Sequence, residues 1–463
     1  MLDEQTTQNV SPHVRVNTHW PDSMYTDNLQ RTLLRLDTLT NWEHRARCAM
    51  RTSLGPIRDL VERLGNPQSG FRTIHVTGTK GKGSVCALLE AALLKAGLTV
   101  GRYASPHLER INERASMAGK LIDDQTLSDC LMLALDAHEA ARREGSPAGH
   151  ATWFDVLTAA AFLAFRDARL SWVIVEVGLG GANDSTNVLD SEIAVVTNVE
   201  LEHTEVLGKT RSAIALEKVG ILKPGTCLVT TLPSTDEAGK ILHDRAEALR
   251  CSLKQVSIRP GERLEESNVR IAGAVLDYLG EKERQPLHAK VIGAHLIDRH
   301  VRAAARLPGR LERFYVRRSD GAELTVVMDG AHVPFNLEAV LRELTEEADL
   351  KGPCVAVVGI GSDKDARGML SVLSHYVADC VFTDLPAPSR GIPSDDLRQR
   401  AHSIGIASEA RCAVSSAVER AIELALKNSG WVLITGSLHL VGAARKLAPF
   451  RQSSGWMPAS PAR

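Results

Sequence analysis

Eight short runs rich in β-branched residues, most followed by stretches of helical spacing, set the strongest limit on what this chain can fold into. The first four are FRTIHVTG (71–78), WVIVEVG (172–178), EIAVVTNV (192–199) and TCLVTTL (226–232). The second four are ELTVVMDGA (323–331), CVAVVGIG (354–361), DCVFTDL (379–385) and WVLITGS (431–437). Each is apolar on both faces, the pattern of parallel strands covered by helices. Stretches such as NLEAVLRELTEEA (336–348) and SSAVERAIELALKN (415–428) supply the helices between them. Two such series predict two α/β domains with mainly parallel sheets, and 463 residues is too long for one ordinary core. The boundary is expected near residues 305–315, in LPGRLERF. That divides the chain into a polar extension (1–28), a first domain (29–305) and a smaller second domain (306–463). From residue 29 to about 70 the spacing of Leu33, Leu34, Leu36, Ile57, Leu60, Val61 and Leu64 is helical.

A formal net charge of -1, with 44% hydrophobic and 24% charged residues, argues against general nucleic-acid or membrane-surface binding. No apolar run reaches the ~18 residues that a membrane span needs. The start, MLDEQTTQNV, has no basic segment leading into an apolar one, so no export signal is expected and the cytoplasm is the expected location. The eight cysteines are scattered without a CxxC pair, as free thiols in a reducing compartment would be.

The most informative segment is His75-Val76-Thr77-Gly78-Thr79-Lys80-Gly81-Lys82-Gly83-Ser84, between a strand and the helical VCALLEAALLKAG. A glycine-rich turn at a helix N-terminus offers backbone N–H groups and the positive end of the helix dipole to phosphate, with a lysine beside them. The standard P-loop pattern is not matched letter for letter. Val76 stands at its first glycine, and Gly83 separates Lys82 from Ser84. Glu176 ends a very apolar strand, where its carboxylate would project into the crevice above a parallel sheet.

With this loop the chain resembles the folylpolyglutamate synthase and dihydrofolate synthase branch of the Mur ligase superfamily, whose VTGTxGKGS loop is matched by residues 76–84. The likeness continues in order through Ser105-Pro106-His107-Leu108, Glu176-Val177-Gly178-Leu179-Gly180-Gly181, Asp184-Ser185-Thr186-Asn187, Glu202-His203-Thr204 and Glu217-Lys218-Val219-Gly220-Ile221. In the second half it passes through Pro308-Gly309-Arg310-Leu311-Glu312, Asp329-Gly330-Ala331-His332, Asp363-Lys364-Asp365 and Gly436-Ser437-Leu438. The resemblance implies a P-loop-type ATP-binding domain followed by a Rossmann-like C-terminal domain. It also implies ATP-dependent attachment of L-glutamate to a folate through an acyl phosphate, by a monomer with no nucleic-acid or membrane partner.

Residue roles follow from the same resemblance. Gly78, Thr79, Lys80, Gly81, Lys82, Gly83 and Ser84 would bind the nucleotide, joined by Asn268, Arg310, Asp329 and His332. Arginine suits phosphate through its fork of donors, and aspartate accepts from ribose hydroxyls. Ser105, Glu176, His203 and Lys218 would serve two magnesium sites, Lys218 as a carbamate, with Lys82, Lys218 and His203 acting in catalysis. The pteroyl group would meet Thr152, Trp153, Phe154 and Asp155, where an aromatic pair suits a flat heterocycle, and the neighbouring Asn183 and Asp184. For Asn268 a helix N-cap explains the residue equally well, and for Phe154 core packing does.

The chain departs from the family pattern at several places. Ala182 and Asn183 stand where many bacterial members have Arg-Leu; Glu202 replaces aspartate, Asp155 replaces glutamate, and Val333 replaces the asparagine of DGAHNP. These changes bear on the substrate more than on the ATP chemistry. Addition of glutamate to tetrahydrofolate already carrying one glutamate is the leading expectation; addition to dihydropteroate, or both reactions at one site, is the alternative. A nucleotide-binding protein without catalysis is the alternative of a different class, against which Glu176, His203 and Lys218 together speak. A dehydrogenase would need the GxGxxG spacing, which is missing.

Overall fold

A computed structural model describes residues 25–43, 53–259, 261–282, 291–317, 323–387 and 389–451. Most of the expected extension lies outside these residues, and its last two positions, Asp27 and Asn28, already belong to the helix Asp27–Leu36.

The first sheet has eight strands: β1 Arg72–Thr77, β2 Val100–Tyr103, β3 Ala115–Met117, β4 Lys120–Leu121, β5 Trp172–Glu176, β6 Ile193–Val196, β7 Cys227–Thr230 and β8 Ser252–Gln255. Their order is β4-β3-β2-β5-β1-β6-β7-β8. From β2 to β8 all pairs are parallel, and β3 and β4 are added antiparallel at one edge. The second sheet has six: β9 Glu312–Arg317, β10 Glu323–Met328, β11 Cys354–Val358, β12 Asp379–Phe382, β13 Ser408–Ala410 and β14 Trp431–Thr435, in the order β13-β12-β11-β14-β10-β9. Only β9 runs antiparallel to its neighbour.

Helices cover both faces of each sheet, which is why β6 and β11 are apolar throughout and β5 up to Glu176, while β1 alternates Ile74 and Val76 with buried Thr73, His75 and Thr77. On one face of the first sheet, Ile74, Val76 and Ile174 pack with the helices Lys82–Lys95 and Leu264–Lys282. Opposite, Val173 and Val175 pack against the helix Trp153–Asp167, which the helices Gly55–Arg63 and Asp124–Glu144 bury from behind, and Asp27–Leu36 packs in turn on Asp124–Glu144. A helix covered on two sides has no polar face to keep, hence its run of Ala, Phe, Leu and Val. The second sheet lies between the helices Pro334–Thr345 and Ala366–Tyr376 on one face and Val414–Lys427 and Leu438–Arg445 on the other. No described helix is long and apolar enough to cross a membrane.

This layering positions the site. β1 and β5 are neighbours, with Val76 opposite Glu176, so the segments that leave their C-terminal ends share one crevice. The second unit turns the ends of β10, β11 and β14 toward the same crevice, and a cavity of about 1900 Å³ lies between the two.

Candidate active site

The glycine-rich loop leaves β1 at Thr77, whose Oγ1 donates to the Gly180 carbonyl at 2.7 Å and ties the loop after β5 to the phosphate loop. Glycine is required twice. Gly78 has φ 147°, with Thr197 Oγ1 1.9 Å from where a Cβ would stand; Gly81 has φ 85°, and a Cβ there would lie 2.3 Å from Asn268 Oδ1. Asn198, just past β6, accepts at Oδ1 from the N–H groups of Thr79 (3.1 Å) and Lys80 (2.8 Å). Those two donors are therefore spent on shaping the loop. The helix begins at Lys82, so the N–H groups of Lys82, Gly83 and Ser84 have no partner one turn back and face the cavity at the positive end of the dipole. Lys82 Nζ folds over the loop to donate to Gly78 O at 3.0 Å.

Glu176 is 6% exposed beside this loop, with Oε2 3.3 Å from where a Cβ on Gly83 would stand. Burial raises its pKa, against the opposing pull of Lys82, Arg310, the Ser105 N–H and Arg102. The hydrogen bond from Ser105 N, at 3.4 Å, is long. Ser105, Glu176, His203 and Lys218 all line the cavity. Among the described residues no group of three His, Cys, Asp or Glu is arranged to hold a metal ion. The buried Glu176 carboxylate and the Ser105 hydroxyl are hard oxygen donors of the kind that suit magnesium held largely by phosphate oxygens and water, and His203 adds a nitrogen donor beside them.

Lys218, on the helix Arg211–Val219, is 4% exposed. Burial and the charge of Lys82 push its pKa down to about 7, against the pull of Glu202. Lys80 is lowered to about 8, chiefly by burial, and its Nζ donates to Asn336 O in the second unit at 3.2 Å. His203 adopts φ 52°, and its Nε2 lies 3.5 Å from Glu202 Oε1. Glu202, to which the sequence reading gave no site role, joins the two units: its Oε1 also lies 3.3 Å from His332 Nε2.

The remaining expected residues divide in two. Arg310 lines the cavity and acts electrostatically on Glu176 and Lys80. Asp329 lines it too, but its Oδ2 accepts from Leu311 N (3.0 Å) and its Oδ1 from Ala331 N (2.9 Å), so it also fixes the linker that carries Arg310. Asn268 is not a helix N-cap: it is the fifth residue of Leu264–Lys282, and its side chain points at Gly81. Trp153 does not join Phe154 in an aromatic pair at the cavity. It is 1% exposed, donates from Nε1 to Asp37 Oδ1 at 3.0 Å and lies under Arg114, because the first helical position faces the core when its neighbour faces out. Phe154 lines the cavity against Gly178. Thr152 and Asp155 line it while forming a capping box, and Asp155 also accepts from Ser185 Oγ at 2.6 Å. Asp184 accepts from Leu179 N (2.7 Å) and Thr186 N (3.0 Å), which makes it the organiser of the loop after β5; Asn183 is exposed at its rim. Glu43, outside every motif, lines the cavity and takes Arg114 bidentately at 2.9 and 2.6 Å.

Comparison with known proteins bears on the family and the fold. Residues 76–305 match the Mur ligase middle domain, and residues 309–438 match the Mur ligase, glutamate ligase domain. The dihydrofolate synthase/folylpolyglutamate synthase of Haemophilus influenzae is 31% identical over 418 residues, covering 84% of this chain and 91% of the relative. The structure of E. coli FolC in complex with DHPP and ADP superposes with a TM-score of 0.75 at 27% identity, covering 92% of this chain and 98% of that one. The Yersinia pestis bifunctional folylpolyglutamate synthase/dihydrofolate synthase, complexed with AMPPNP and Mn ion, gives 0.72 at 30% identity, covering 90% and 97%. With a phosphate loop, a buried strand-end carboxylate and a second α/β unit closing over both, the chain belongs to the dihydrofolate synthase/folylpolyglutamate synthase family of Mur ligases.

Proposed function

We propose that this protein joins L-glutamate to a folate at the expense of ATP, through an acyl phosphate. The observation that carries the reading is the pairing of Val76 with Glu176, which sets the loop Gly78–Ser84 and a buried carboxylate side by side at the mouth of one cavity. Residues 29–305 supply the ATP and folate surfaces, and residues 306–463 close over them.

The folate's terminal carboxylate oxygen attacks the γ-phosphorus of ATP, and ADP leaves. Lys82 and the N–H groups of Lys82, Gly83 and Ser84 meet the charge that spreads over the phosphoryl oxygens. Magnesium, held by Ser105, Glu176, His203 and a carbamate on Lys218, would neutralise the phosphate charge when bound. The near-neutral Lys218 amine supports that assignment, since carbon dioxide adds only to an uncharged amine. Glutamate's amine then attacks the acyl carbon, phosphate departs, and a proton is released. Docking of the second unit through His332–Glu202 and Lys80–Asn336 excludes the water that would hydrolyse the acyl phosphate. Phe154 and the Asp184-organised loop receive the pteroyl group.

Tetrahydrofolate bearing one glutamate is the leading substrate. Dihydropteroate is the second reading, favoured by relatives that carry both names. Assaying both with ATP and glutamate decides between them. Phosphate formation should require folate and glutamate together, and oxygen-18 from a labelled folate carboxylate should appear in the phosphate. Product formation without that transfer would overturn the acyl phosphate.

A further inference from the structure

The helix Pro334–Thr345 turns Asn336, Val340 and Glu343 toward the cavity at the four- and three-residue spacing of one helical face. Val333 at its N-cap and Phe335 bring no hydrogen-bonding side chain, so Asn336 is the first polar side chain of this wall. Asn336 is 5% exposed, and its Oδ1 has no partner among the described residues. A buried acceptor left unpaired is destabilising, and such groups in native proteins call for an explanation. This one lines a ligand-sized cavity.

Its position along the nucleotide follows from its neighbours. The Asn336 carbonyl accepts from Lys80 Nζ at 3.2 Å, so the amide stands beside the phosphate loop. From the opposite wall Asn268 approaches Gly81. Next to a phosphate chain lying on that loop comes the sugar of a nucleotide. The phosphates themselves carry no donor for an orphaned acceptor, whereas ribose carries two hydroxyls. Glu343 lies seven residues further along the same helix, about 10 Å along its axis, and also lines the cavity.

We propose that Asn336 binds the ribose of the nucleotide, its amide oxygen accepting a hydrogen bond from the 2′- or 3′-hydroxyl. This rests on the reading of the cavity as an ATP site. It makes Asn336 a specificity-determining residue that favours ribonucleotides over deoxyribonucleotides.

The test is calorimetric titration of wild type and Asn336→Leu with ATP, 2′-deoxy-ATP and 3′-deoxy-ATP in the presence of magnesium. The wild type should bind ATP about tenfold more tightly than one of the two deoxynucleotides, a loss of about 1.4 kcal/mol. Asn336→Leu should bind all three within twofold of one another. Its unliganded melting temperature should equal or exceed that of wild type, because the variant removes an unpaired buried acceptor. If Asn336→Leu melts early, Asn336→Ala takes its place in the titrations. A variant that keeps the wild-type preference, or a wild type with none, overturns the ribose contact while leaving the ATP site intact. A wild type that binds no nucleotide at all overturns the underlying reading as well.

Discussion

Oε1 of Glu202, on the loop after β6, lies 3.3 Å from Nε2 of His332, just past β10 in the second unit. The other ring nitrogen, Nδ1, lies 2.8 Å from the Gly330 carbonyl, which can only accept, so Nδ1 carries a proton. Burial by itself would raise the Glu202 carboxyl. The His332 hydrogen bond and the charges of His203, His332 and Lys82 outweigh it and hold the group well below 4.5. A carboxyl depressed in the folded state contributes stability above its unfolded pKa and loses that contribution as pH falls through the folded value. Glu202→Gln should therefore destabilise the protein by about 1–3 kcal/mol at neutral pH and flatten the acid limb of its stability profile. Urea unfolding of both proteins at pH 7 and pH 4 measures this. Equal losses at the two pH values would rule the pairing out as the source.

Lys218 titrates the other way. Its folded pKa of about 7 stands against an ordinary 10.5, so between those values the unfolded chain holds the extra proton. Its contribution to stability rises with pH across that window and is lowest below about 7. The same shift leaves a large neutral fraction at physiological pH. With ¹³C-bicarbonate, a carbamate resonance should be present at pH 8, weaken below pH 7, and vanish in Lys218→Arg. Ligase activity should fall over the same acid range. A Lys218→Arg variant with wild-type turnover would remove the carbamate from the mechanism.

Legibility in the sequence tracked burial together with length: Val100–Tyr103 and Ala115–Met117 are largely buried, but at four and three residues, with Gly101 and Arg102 in the first, they form no apolar run. All eight apolar runs became strands, since a strand covered on both faces has to be written in apolar residues. The strands that composition did not disclose are short or lie at edges. Lys120–Leu121 is exposed at both positions, Ser408–Ala410 and Ser252–Gln255 are half-exposed edges, and Glu312–Arg317 carries charge on its open side. In the site, the loop glycines were readable because backbone geometry restricts which residues fit there, and Glu176 because a carboxylate ends an otherwise apolar strand. The duties of Asp155 and Asp184 were not, because a carboxylate serves a cap, a loop or a ligand depending on which N–H groups arrive beside it. The Glu202–His332 contact spans 130 residues and leaves no local pattern at either end.

Gly81 offers a test of the loop that separates fit from backbone freedom. Gly81→Ala places a Cβ at φ 85° and 2.3 Å from Asn268 Oδ1, so both the backbone and the facing asparagine must shift. Gly145→Ala is the control: it has φ 73° at the end of the helix Asp124–Glu144, with nothing within 4 Å of the added carbon. Each should lose about 1–2 kcal/mol of stability from the left-handed backbone alone. Only Gly81→Ala should weaken nucleotide binding, by tenfold or more in a calorimetric titration. Equal nucleotide affinity in the two variants would show that the Gly81–Asn268 approach does not shape the phosphate site.

Val333 stands where the family pattern has asparagine, and its position says what the exchange does. It is the N-cap of the helix Pro334–Thr345, with the extended backbone that a cap adopts (φ -137°, ψ 150°) and no side-chain hydrogen bond. It does not line the cavity, so an asparagine there would serve the helix N–H groups rather than the nucleotide. Val333→Asn gains a cap of about 0.5–2 kcal/mol. It also gives up a side chain that is 9% exposed, whose burial is of the order of 1.5 kcal/mol or more. The two terms are close in size and opposite in sign, so the melting temperature should move by only a few degrees and the KM for ATP should stay unchanged. A tightened KM would mean that the asparagine reaches the nucleotide after all, and that the valine has removed a ligand contact from this protein.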